Sequence, residues 1–142
     1  MADTLDDSTL WHHFNAVTLP KESWTHAAHL RTAWLFLRRH AIDEAHLLMR
    51  VGIIKLNASH GLIETASRGY HETMTRVWFA LVSAAQRQTP TVDDSREFLA
   101  THAELLSKDA PLRHYSRERL FSVAARASFV APDLAPLPDH QS

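Results

Sequence analysis

Apolar residues recur along this chain at three- and four-residue intervals almost from end to end, the period of helices packed by one face, and no stretch alternates in the two-residue rhythm of a strand. The first helix is expected from about Ser8 to Val17, capped by Asp7 or Ser8, striped by Leu10, Phe14 and Val17, and stopped before Pro20. A second is expected from Thr25 to His40. A third, from Asp43 to Ser59, is apolar over most of its circumference (Leu47, Leu48, Val51, Ile53, Ile54, Leu56), so it should be the central helix, ending at Gly61 as a left-handed cap. After a connection over 62–69, a fourth helix should start near Tyr70. Met74, Val77, Trp78, Leu81, Val82 and Ala85 form its inward stripe, and it should end before Pro90.

Asp94 and Glu97 read as a capping box for a fifth helix reaching Ser107, and a sixth is expected from Ser116 to Phe129. The pattern therefore predicts an all-α, up-and-down helical bundle of five to six helices in one domain, residues 1–130. Pro132, Pro136 and Pro138 mark residues 131–142 as an extended tail.

Short connections make successive helices antiparallel, so the second and fourth should run parallel and begin at the same end. His26 and His29 lie in the first turn or so of one, and His71 and Glu72 in the first turn of the other. Their positions continue the inward rows, so all three imidazoles should face inward. Asn57 and His60 should arrive at that end from the third helix, and His114 and Tyr115 from beyond the fifth. His40 and His46 belong by the same reasoning at the opposite end.

Side chains three apart on a helix are about 5–6 Å apart at Cβ, close enough for His26 and His29 to share an ion. The positive end of a helix dipole also favours neutral imidazole, the form that binds metal or takes a proton. The expected site is thus one divalent ion on His26, His29 and His71, with Glu72 as a fourth ligand or a general base and Tyr115 as a further catalytic group. Asn57, Tyr70 and His114 would support it. Arg68, Arg113 and Arg117 would anchor a small ligand or substrate with anionic character.

Composition narrows the chemistry. With 142 residues and no cysteine, the chain is the size of one domain and offers a metal only nitrogen and oxygen donors, which leaves zinc, iron, manganese and nickel open. A net charge of -1 gives no field for nucleic acid, and no run is apolar enough for a signal peptide or a membrane span, so the expectation is a cytoplasmic protein. Two other readings stand beside the metal. One is a metal-free acid–base enzyme using His71 and Glu72 with His26. The other is a helical interaction module whose histidines form a core hydrogen-bond network or half of a homodimer face.

The segments "WTHAAHLRTAW", "GYHETMTRVW" and "PLRHYSRERLF" together resemble an uncharacterised family of small bacterial all-helical proteins, over about Leu19 to Leu137. That resemblance implies the helical fold and brings no activity. The architecture is also similar in kind to DinB-like helical bundles, where three histidines from different helices hold a divalent metal. In that family a lone histidine precedes HxxxH, whereas here HxxH comes first, and no residue role is carried over.

Overall fold

In a computed structural model, which describes residues 5–138, the most deeply buried stretch is the helix that follows Thr25. This helix, α2 (His26–Leu37), buries Ala28 and the unbroken run from Leu30 to Phe36. Around it pack α1 (Asp7–Asn15), α3 (Ile42–Ser59), α4 (Glu72–Gln88) and α5 (Ser95–Thr101). Two short helices, α6 (Arg117–Leu120) and α7 (Val123–Ala127), follow, and 3-10 turns complete the set. The described residues form an all-α bundle without strands, and none of their helices is long and apolar enough to cross a membrane.

The centre is therefore α2 and not α3. Both faces of α3 are apolar, but only one has neighbours: Ala45, Met49, Ile53 and Leu56 are buried, while Leu47, Leu48, Val51 and Ile54 are exposed. Gly52 sits where α3 crosses α1. A Cβ there would come 2.4 Å from the Phe14 ring, so only glycine allows this approach.

The main core joins Phe14, Trp34, Phe36, Met49, Leu56, Phe79 and Phe98. Each large apolar side chain taken out of water contributes about 1.5–3 kcal/mol. A smaller cluster of Val77, Tyr115 and Leu120 seats the C-terminal segment.

Helix starts follow side-chain caps: Asp6 for α1, Thr25 for α2, Asp94 for α5, Ser116 for α6 and Ser122 for α7. The expected sixth helix is two helices because Ser122, accepting from Ala125 N, restarts the chain after Phe121. The fifth ends early at His102, whose Nε2 is 2.8 Å from the Thr89 hydroxyl. Residues 131–138 carry no helix and are docked on the bundle; the rest of the expected tail, 139–142, lies outside the described residues. The Ser116 N–H and hydroxyl donate to Asp133 at 2.8 and 2.7 Å, and His114 Nδ1 donates to the Pro136 carbonyl at 3.0 Å.

Candidate functional site

α2, α3 and α4 enclose a cleft of about 440 Å³. Its walls include Trp24, His26, His29, Asn57, Tyr70, His71, Trp78 and Lys108. All three expected histidines line it, each with a fixed tautomer.

His26 donates from Nε2 to the Leu105 carbonyl at 3.1 Å and meets the Trp78 ring edge-on at 4.7 Å. His29 donates from Nδ1 to the Thr25 carbonyl at 2.8 Å and stacks on Trp24 at 3.7 Å. Its Nε2 keeps the lone pair, with no hydrogen bond among the described residues. Burial lowers the pKa of His26 against the opposing pull of its Leu105 bond, with Lys108 lowering it further. Burial drives His29 down to about 4, and His26 and Lys108 push the same way. At neutral pH both rings are neutral hydrogen-bonding groups.

His71 has a different task. It is the N-cap of α4: Nδ1 accepts from Met74 N at 3.0 Å, while Nε2 donates to the Leu120 carbonyl at 2.8 Å. Imidazole rarely caps a helix, and here the cap leaves neither nitrogen for an ion. Among the described residues no three histidine, aspartate or glutamate side chains are grouped so that they could hold a metal ion. The expected trio shares a cleft without forming a ligand set.

Glu72, only 8 % exposed, turns away from these histidines. Its Oε1 accepts from the Tyr70 hydroxyl at 2.8 Å, and Arg50 Nη1 lies 3.5 Å from both carboxylate oxygens. The Tyr70 oxygen is 3.2 Å from His46 Nε2, which is itself 3.7 Å from Glu72 Oε1. Because the single Tyr70 proton goes to Glu72, His46 Nε2 must be the donor to Tyr70. Burial, followed by the bond to Glu72, raises the Tyr70 pKa. Burial also lowers that of His46, against the opposite pull of Glu72.

His46 thus stands beside Glu72, not at the far end of the bundle. The assumption that failed is the length of the turn between α3 and α4. The chain from His60 to His71 doubles back along α3 before α4 begins, and Arg126 holds it there by donating to the Gly69 carbonyl at 3.0 Å and the Ser67 carbonyl at 3.3 Å. His40 keeps its expected separation, paired with Glu44 at 2.6 Å.

The other expected residues divide. Asn57 and Tyr70 line the cleft. Arg68 lies on the adjoining outer surface with Lys21 and His60, sharing Trp24, Asn57 and Leu62 with the cleft wall. Tyr115 is fully buried and donates to the Val130 carbonyl at 2.5 Å, so its hydroxyl holds the C-terminal segment and cannot meet a substrate. His114 likewise bonds that segment, and Arg113 and Arg117 are exposed outside the cleft walls.

No pattern in the sequence singles out Lys108, and His46, expected away from this region, stands beside Glu72. A signal for His46 was present: it falls in register with Met49, Ile53 and Leu56, the buried stripe of α3. The chain matches no family model, and neither the curated proteins nor the solved structures include one significantly similar to it. Fold and site define an all-helical protein with a histidine- and tryptophan-lined cleft, and function has to be argued from that geometry.

Proposed function

We propose that this chain binds a small, largely apolar organic molecule in the cleft between α2, α3 and α4, using His29 Nε2 as the acceptor for a donor group of the ligand. The observation that carries the reading is the pinned His29 tautomer: Nδ1 is spent on Thr25, the ring is stacked on Trp24, Nε2 keeps its lone pair, and the residue lines a cleft of ligand size. Trp24, Trp78, Met74 and Leu30 supply apolar walls, and Lys108 can meet an acidic group at the rim.

Recognition fits His29 better than catalysis. A pKa of about 4 makes the ring a weak base at neutral pH, whereas a general base works best with a pKa near the operating pH. The metal reading has less support, because both His71 nitrogens are already bonded.

The test is an NMR titration with small aromatic alcohols and acids, reading the indole signals of Trp24 and Trp78. The expected result is selective shifts at those two indoles and about tenfold weaker binding in His29→Phe, which keeps the stack and removes Nε2. Equal affinity in wild type and His29→Phe, or no compound shifting those indoles, overturns the proposal.

A further inference from the structure

Phe79 is a party wall: the first cleft lies on one side of it and a second cavity, of about 390 Å³, on the other. The second cavity is framed by Ile42, His46 and Arg76 from α3 and α4, and roofed by Phe129, Pro132 and Leu137 of the docked C-terminal segment. Its only ionisable lining groups among the described residues are Asp43, His46 and Arg76, and the rest is apolar.

Three observations converge on His46. Its Nε2–H is committed to Tyr70, whose own proton is committed to Glu72, so Nδ1 carries the lone pair. That Nδ1 makes no hydrogen bond among the described residues, yet it is not sealed in: Trp34 Nε1 is the one buried side-chain polar atom among them that lacks a partner. The open space that His46 lines is this cavity. Arg76, held 5.2 Å over the Phe129 ring, has no carboxylate of the described residues within ion-pair distance and is left to meet an anion.

We infer that this cavity is a proton-transfer site in which His46 Nδ1 is the catalytic base towards a small 2-oxo acid with an apolar side chain, its carboxylate and keto oxygens gripped by Arg76. A guanidinium matches two adjacent oxygens in one plane, and the apolar walls accept the side chain. In the step, the C3–H bond breaks and its proton goes to Nδ1. The electron pair forms the C2–C3 double bond, and the carbonyl pair moves onto oxygen, giving an enolate beside Arg76. Return of the proton to carbon, or its delivery to oxygen, completes an isomerisation with no other reactant.

Tyr70 and Glu72 are positioning residues. They fix the Nε2–H tautomer, and the Glu72 carboxylate offsets the charge that His46 gains on protonation. The order is that of a base held by a third group behind it, with a tyrosine hydroxyl as the intermediate link.

The test uses 4-methyl-2-oxopentanoate in D₂O, following loss of the C3 proton signal by NMR, together with ¹⁵N spectra of the imidazoles. Wild type should exchange the proton about 10²-fold faster than His46→Gln, with Tyr70→Phe and Glu72→Gln between them and His40→Gln, outside the cavity, unchanged. The His46 spectrum should show the Nε2–H tautomer in wild type and lose that signature in Tyr70→Phe, a readout that stands even if His46→Gln folds poorly. Exchange no faster in wild type than in buffer or in His46→Gln, or an Nδ1–H tautomer at His46, overturns the assignment.

Discussion

Arg31 and Glu72 are both charged side chains taken out of water, and the groups around them are organised in opposite ways. Arg31, 1 % exposed in the middle of α2, donates from Nε to the Ser95 hydroxyl at 2.6 Å and from Nη2 to the Leu5 carbonyl at 2.6 Å and to Asp7 at 3.1 Å. Asp7 in turn accepts from the Ser95 N–H at 2.8 Å and bonds the Ser95 hydroxyl. The groups answer one another in a ring that fastens the starts of α1 and α5 to α2. Glu72, Tyr70 and His46 form a line instead, and the line ends on an unbonded nitrogen at a cavity. A closed network serves to hold elements together, whereas an open one leaves a group free to act on something else.

Breaking the ring should have the largest effect. Arg31→Met strands Asp7 and Ser95, and urea unfolding should show a loss of about 3–5 kcal/mol. Glu72→Gln still accepts from Tyr70, so unfolding measured the same way should show a loss of about 1 kcal/mol or less. A loss at Glu72 as large as that at Arg31 would erase the contrast.

Acid should expose the buried imidazoles next. The folded-state pKa of His29 is about 4 against an ordinary 6.5, so the unfolded chain takes up its proton first as pH falls. The stability that depends on a neutral His29 is full above about pH 6.5, declines between about 6.5 and 4, and is gone below that. The lowered pKa values of His26, His46 and His71 act with the same sign. Melting curves across this range should flatten in His29→Phe, and an unchanged slope would remove His29 from the account.

The smallest expected effect belongs to metal. With His71 spent as a cap, protein loaded with zinc and desalted should retain well under one equivalent, and a chelator should leave the melting temperature unchanged. One retained equivalent that His26→Ala/His71→Ala loses would restore the ligand trio.

How much of this was legible in the sequence depends on what kind of information each feature uses. The period of apolar residues specified the helices, and the Thr25 and Asp94 ends follow local capping chemistry, so α2, α4 and the start of α5 were readable. His26, His29 and His71 do line one cleft, although His71 reaches it as the cap of α4 and not from within the helix. Which face of α3 finds neighbours was not readable, since its two apolar sides look alike until α2 takes the centre. The partner of Glu72 was hidden for a related reason: a connection from His60 to His71 that folds back along α3 leaves no periodic trace. Ring nitrogens were hidden most deeply. Whether an imidazole is a ligand or a cap depends on single hydrogen bonds, such as that from Met74 N to His71, which no spacing rule reports.

The docking of residues 131–138 has a practical side. Phe129, Pro132, Pro136 and Leu137 wall the second cavity, so an affinity tag attached to this segment would be held beside that wall. Removing the histidines of such a tag before any metal assay keeps the tag's ions from being counted as the protein's.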